Sequence, residues 1–405
     1  ALMVIDADGV VYERCLGMAN LEHGIPLRPN TVFKLASITK QFTATAIMML
    51  QEQGKLSIND SLLDHMPDYP TGGRDIRIHH LLTHTSGIKS YTSLEGWFPN
   101  KMMQDKTPAE MRDRFSGEPF DFEPGERYLY NNSGYFLLGM IIEQLSGMPY
   151  ADFIREHIFA PLGMNGSVYM ENRPIIPNRA SGYDRTANGY HHAQYISMAQ
   201  PFAAGALGST LEDLQRWDSA LRQHTLVSEA TLAQMWTPAM LNDGTVASDG
   251  YGWAINAYRG RRLINHAGGI PGFSTYMMHL PEDGVSLYLL ANFSNFFVPR
   301  LMHALLPIIL GLPSIERNPI FLSEAAQTAI VGSYRLTNGM IVKVVVENGI
   351  LMLDSFNKAQ LLPLSDTLFS LKGEVEVEIS FDSGNLTYAS PLVSFTGSRI
   401  EQTDV

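Results

Sequence analysis

The sequence predicts an α+β protein: an antiparallel sheet flanked by helices, a helical subdomain, and a separate small β domain at the C-terminal end. Three observations predict it. Strand-like runs stand at both ends of residues 1 to 312, a mainly helical stretch of residues 40 to 240 separates them, and the texture changes after Leu312-Pro313-Ser314. Beyond that point short β-rich runs alternate with turns, so residues 315 to 405 read as a separate small β domain.

The first element is a hairpin over residues 1 to 18. An apolar run reaches Ile5, Asp6-Ala7-Asp8-Gly9 makes the turn, and Val10 to Met18 returns. From Ser37 the apolar positions Ile38, Phe42, Thr45, Ile47, Met48, Met49 and Leu50 recur at helical spacing, and Gly54 after Gln53 supplies the stop. Leu137 to Gln144 and Tyr150 to Ile158 read as further helices. Phe273 to Leu280 and Val285 to Ala291 flank Pro281-Glu282-Asp283-Gly284 as a second hairpin, and Val298 to Leu310 follows as a helix. Because strands enclose the helices, the N-terminal hairpin is expected to join the later strands in one sheet, with a cleft between sheet and helical part. In the β domain the runs are Ile341 to Glu347, Ile350 to Leu353, Val375 to Phe381 and Leu386 to Phe395. Turns are expected at Asn338-Gly339, Asn348-Gly349 and Asp382-Ser383-Gly384. The loop Ser355-Phe356-Asn357-Lys358 places an aromatic where solvent is expected, which points to contact with another surface, as a lid over the cleft or as a contact between copies, over a passive appendage.

Composition narrows the function. The 405 residues are 45% hydrophobic and 17% charged, the profile of ordinary globular domains. A net charge of −12 repels phosphate backbones, so nucleic acid is not an expected partner. Cys15 is the only cysteine, which rules out an intrachain disulfide, a CxxC redox pair and a thiolate zinc site. No apolar run approaches the roughly 20 residues of a membrane helix. No charged leader or cleavage signature precedes the first strand.

Chemistry enters with Ser-x-x-Lys. When the serine opens a helix, a lysine three residues on shares its face and its amine reaches the hydroxyl. Three such pairs occur, Ser37/Lys40, Ser86/Lys89 and Ser355/Lys358, and only Ser37 begins a long apolar helix. Tyr130-Asn131-Asn132 is the one Tyr-x-Asn, and His266-Ala267-Gly268 the one Lys-or-His-x-Gly triplet. His80 and His84 have the i, i+4 spacing of a zinc pair but lack a glutamate between them, so satisfied loop histidines are the better reading. No metal or cofactor is expected. His191-His192 reads as a solvated loop, and Met48-Met49 as core filling.

Those three motifs, in that order, resemble the serine β-lactamase and penicillin-binding protein superfamily, in particular its class C β-lactamase, D,D-carboxypeptidase and D-aminopeptidase branch. The resemblance covers residues 1 to about 312 and extends to Thr31-Val32-Phe33, to Leu81-Leu82-Thr83-His84-Thr85-Ser86-Gly87, to Pro161-Leu162-Gly163-Met164 and to Gly205-Ala206-Leu207-Gly208-Ser209-Thr210. It implies a β-lactamase/transpeptidase-like fold for residues 1 to 312, followed by a lipocalin-like barrel over residues 315 to 405. It also implies a helix ahead of the first strand in other members.

The implied mechanism is acyl transfer through Ser37, with Lys40 and Tyr130 activating the hydroxyl once their pKa values are pulled down from about 10. Asn132 would hold Lys40 and the substrate amide, His266 would hydrogen-bond Tyr130, and the backbone N–H groups of Ser37 and Gly269, beside Gly268, would form the oxyanion hole. Where many β-lactamases carry lysine, this chain has His266, taken as neutral at pH 7 from an ordinary pKa near ~6.5, which implies weaker recognition of a β-lactam carboxylate. The first reading is a peptidase or amidase on small peptides containing D-amino acids. A carboxylesterase on short acyl chains, a weak β-lactamase and a non-catalytic binding protein are the alternatives.

Overall fold

The computed structural model describes residues 1–186, 188–294, 298–313, 315–336, 340–354, 358–390 and 394–400. The chain divides into two compact units, one of Ala1–Ile255 with Arg262–Val298, the other of Asn256–Arg261 with Pro299–Val405.

A six-stranded antiparallel sheet organises the first unit. Its strands lie in the order Ala254–Tyr258, Arg261–Ile270, Phe273–Leu280, Val285–Ala291, Leu2–Asp6, Gly9–Arg14. The two ends of the unit's chain thus meet in mid-sheet, with Leu2 opposite Leu289 and Ile5 opposite Ser286. All eight residues of Phe273–Leu280 are buried, as expected of a strand covered on both faces. Helix Leu211–Arg222 packs on Leu2–Asp6 and Val285–Ala291. The returning strand of the N-terminal hairpin ends at Arg14, four residues before the expected Met18. Arg14 already pairs with Leu2, where the first strand begins, so nothing remains to pair with further residues. His191-His192, expected in a loop, belongs to a short exposed hairpin of Tyr183–Thr186 and Gly189–His192.

Helix Thr39–Glu52 is buried nearly all round and packs against Asn132–Ser146 and Tyr150–Ile154. Phe42 anchors it, 4.2 Å from the Trp217 ring and 5.7 Å from that of Phe159. Asn132–Ser146 starts five residues earlier than its apolar periodicity because Asn131 caps it: its Oδ1 accepts from the Gly134 N–H at 2.9 Å. Tyr150–Ile154 continues through a wider helical turn at Arg155–Phe159.

In the second unit, helices Val298–Ile309 and Glu324–Ile330 accompany a closed eight-stranded antiparallel barrel. Gly332–Leu336 and Ser394–Ile400 close it, with Ser333 opposite Ile400 and Leu336 opposite Gly397. Tyr334, Val344, Phe369, Val377, Ile379 and Leu386 fill its interior. At Asn348-Gly349 both φ angles are positive, 50° and 77°, the conformation a two-residue hairpin requires. The Asn338-Gly339 turn and the Ser355-Phe356-Asn357 loop lie outside the described residues.

Candidate active site

The site grows from the segment before helix Thr39–Glu52. Phe33–Lys34 pairs with Leu207–Ser209, and the bracing continues beyond the strands. The Leu35 N–H donates to the Leu207 carbonyl at 2.9 Å, and the Leu207 N–H donates to Thr39 Oγ1 at 3.1 Å. The chain then turns tightly at Ala36–Ile38, with Ala36 at φ 52°, a left-handed conformation that a non-glycine residue holds only when its surroundings enforce it. Ser37 follows, half-buried, directly ahead of the helix. The sheet meets this turn through Gly268. A Cβ there would lie 2.2 Å from Thr275 Oγ1 and 2.3 Å from the Leu35 carbonyl oxygen, so glycine alone permits the approach. Gly269, by contrast, is exposed, and a Cβ on it would meet nothing within 4 Å.

Lys40, the second residue of the helix, is fully buried. Its Nζ donates to Asn132 Oδ1 at 2.8 Å and to the Ala204 carbonyl at 2.9 Å, and it stands 4.8 Å from the Tyr130 ring centroid. Burial drives its pKa well below the ordinary lysine value, against an opposing pull from the Asp249 carboxylate. An amine in this position is discharged at modest energetic cost.

Tyr130 shares a side-chain hydrogen bond with Ser37. Its pKa moves the opposite way to the one expected: burial raises it, outweighing that hydrogen bond, so Tyr130 stays a phenol. Asn132 is fixed on three sides, by Lys40, by Ser90 Oγ accepting from its N–H at 3.2 Å, and by its Nδ2 donating to Thr92 Oγ1 at 3.1 Å.

His266 is buried on strand Arg261–Ile270, its ring centroid 6.0 Å from that of Tyr130. The expected hydrogen bond to Tyr130 is absent among the described residues. Nδ1 pairs with the Ala267 carbonyl at 2.7 Å, and Nε2 has no partner there. Its pKa also departs from the ordinary value assumed for it, pushed down to about 3 by burial and then by the charge of Lys40. His266 is therefore a neutral imidazole across the whole working range.

The competing pairs go elsewhere. Lys89 Nζ is 2.7 Å from Asp121 Oδ1, and Ser86 Oγ accepts from the Ile88 N–H, so these two side chains serve other partners. Ser355 lies outside the described residues. His80 Nδ1 and His84 Nδ1 each accept a backbone N–H, from Arg77 at 3.1 Å and from Asn131 at 3.0 Å.

Sequence reasoning missed several neighbours. Ser90, Thr92 and the Ala204 carbonyl hold the Lys40–Asn132 pair, and Asp249, 4% exposed, stands behind it. The one available signal for Asp249 was an acidic residue beside the apolar Tyr251-Gly252-Trp253.

This chemistry and this fold belong together in known proteins. The sequence profile of the Beta-lactamase family matches residues 1–306, and the chain belongs to that family. Among curated relatives, penicillin-binding protein 4* of Bacillus subtilis (strain 168) is 34% identical over 434 residues, spanning 98% of this chain and 93% of the relative. Among solved structures, the octameric penicillin-binding protein homologue from Pyrococcus abyssi superposes with a TM-score of 0.69 at 27% identity, covering 98% of this chain and 95% of that one. D-amino acid amidase from Ochrobactrum anthropi SV3 superposes with a TM-score of 0.62 at 28% identity, covering 72% and 86%. The family and these neighbours support hydrolase chemistry in general terms.

Proposed function

We propose that the protein is a serine hydrolase working through an acyl-enzyme on Ser37, and that its substrates are small peptides or amides containing D-amino acids. Residues 1 to 312 would form the catalytic domain and residues 315 to 405 an appended barrel domain. The observation that carries the reading is the state of Lys40. A neutral amine has two N–H groups and one lone pair; with Asn132 Oδ1 and the Ala204 carbonyl taking the two hydrogens, one tetrahedral direction remains for the lone pair. Burial favours the discharged amine, and the two acceptors leave its lone pair a single direction.

In the first half-reaction Ser37 Oγ bonds to the scissile carbonyl carbon while its proton passes through the Tyr130 hydroxyl to Lys40. The Ser37 and Gly269 backbone N–H groups receive the oxyanion, one at the start of a helix and the other on an unobstructed stretch of strand. Collapse expels the amine, which takes the proton back from Lys40. Water then attacks the acyl carbon with the same groups in reverse, and the carboxylic acid leaves. The preference for amides of D-amino acids draws on D-amino acid amidase and on the D-stereospecific amidohydrolase from Streptomyces sp., a second neighbour at 26% identity and a TM-score of 0.61. A neutral His266 fits it, since it offers an acceptor where a fixed cation would favour carboxylates.

The test has two arms. A fluorophosphonate probe should label Ser37 alone, and Ser37→Ala should lose roughly 10⁴-fold or more in turnover. A panel of D- and L-amino acid amides, p-nitrophenyl esters and nitrocefin should then show highest kcat/KM on a D-amide. An adduct on Ser86 or Ser355 would remove the assignment, and a better ester or nitrocefin rate would replace the substrate class.

A further inference from the structure

We propose that Asp249, with His84 beside it, is a positioning residue of this site: its buried carboxylate governs where the proton rests on the Lys40–Tyr130 pair, and the His84 ring stands between that carboxylate and the backbone of Tyr130-Asn131-Asn132. The inference rests on the serine-hydrolase reading above.

Asp249 is held by several neighbours. Its carbonyl accepts from the Ala239 N–H at 3.1 Å, its Oδ1 lies 2.8 Å from Ser248 Oγ, and Tyr128 is a further side-chain hydrogen-bond partner. His84 Nε2 stands 3.9 Å from Oδ2. Because His84 Nδ1 accepts the Asn131 N–H, the neutral ring carries its proton on Nε2, the nitrogen facing the carboxylate. The same ring lies 4.5 Å from the Tyr130 ring and 5.2 Å from that of Tyr135. The His84 ring therefore stands between the carboxylate, 3.9 Å away, and the Asn131 N–H that its Nδ1 accepts.

The carboxylate's charge acts on the site through space. The titratable groups around Asp249 are Lys40 from helix Thr39–Glu52, His84 from the segment after Ile78–Leu82, Tyr128 and Tyr130 from the segment before Asn132–Ser146, and Tyr135 from that helix. His266 acts in turn on His84. Among the described residues Asp249 is the one carboxylate whose charge reaches both Lys40 and Tyr130. An anion there favours the ammonium and opposes the phenolate, so it raises the proton affinity of both groups. Burial pushes its own pKa up to about 6, so its charge changes within the range where hydrolases are assayed.

Asp249→Asn keeps the shape and removes the charge. Both candidate bases should then lose their proton more easily, and the acid limb of kcat/KM should move to lower pH by about one unit. KM should stay unchanged, and the pH dependence of fluorophosphonate labelling of Ser37 should move with kcat/KM. Tyr128→Phe removes one hydrogen bond from the carboxylate, favours its protonated form, and should move the limb the same way by less. That variant carries the test if Asp249→Asn does not fold. A readout independent of activity is the melting temperature. A carboxyl whose pKa rises from 3.8 unfolded to about 6 folded adds stability that is complete below 3.8 and lost as pH rises through 6. Asp249→Asn should therefore gain on the wild type between pH 5 and pH 8. An unmoved acid limb in both variants, or a pH-independent difference in melting temperature, overturns the proposal. Full activity in Ser37→Ala would instead overturn the hydrolase reading and leave the melting result to judge the buried charge.

Discussion

The role proposed for Lys40 asks for a group that is basic yet uncharged, a demand that lysine meets in a buried site and arginine does not. Arginine keeps its proton in any protein environment, so Lys40→Arg should abolish base function while keeping the charge, at a loss of about 10²- to 10⁴-fold in kcat. Retained turnover in that variant would show that Tyr130, or water, takes the serine proton. His266 supplies a second residue-scale outcome. Its pKa is about 3 in the fold against an ordinary 6.5, so below pH 6.5 the unfolded chain binds a proton the folded chain refuses. Its stabilising effect is complete above 6.5 and lost as pH falls toward 3, at about 1.4 kcal/mol per pH unit. His266→Gln should flatten that part of the stability profile, read from urea melts at pH 7 and pH 4.5; an equal loss in both proteins would mean that the ring accepts a proton without unfolding.

Among the elements, strand Arg261–Ile270 makes the sharpest contrast. Gly268→Ala places a methyl on Thr275 and on the Leu35 carbonyl, forces the strand away from the Ser37 turn, and should cost about 1 to 3 kcal/mol together with most activity. Gly269→Ala meets open space, so stability should change by less than about 0.5 kcal/mol, and any loss of kcat/KM would report on the substrate's side. Denaturant melts and kinetics on the pair would reveal which glycine serves the fold. The elements that could be read from sequence were those whose period is local: the helix after Ser37, the hairpin around Pro281-Glu282-Asp283-Gly284, and the helical run from Leu137 to Gln144, whose capped start at Asn132 was not read. Three short barrel strands, Gly332–Leu336, Ala359–Pro363 and Leu368–Leu371, left too few residues for alternation to register. The motif residues Ser37, Lys40, Tyr130 and Asn132 were visible because chemistry constrains their spacing. Asp249 and Ala204 were not, because their contacts join residues 164 or more positions apart and one of them acts through its backbone.

For the molecule as a whole, each unit has its own apolar interior, one around helix Thr39–Glu52 and one inside the barrel. Calorimetry should therefore resolve two unfolding transitions, and a single cooperative one would show that neither interior stands alone. The meeting of Leu2–Asp6 with Val285–Ala291 also bears on how the protein is born. A ribosome adds about 5 to 20 residues per second, so the first strand emerges roughly 15 to 60 s before the strand it needs. Throughout that interval Met3, Val4 and Ile5 have only their own hairpin for cover. The nascent chain must be shielded for most of its synthesis, and slowing translation should lower the yield of this protein instead of raising it.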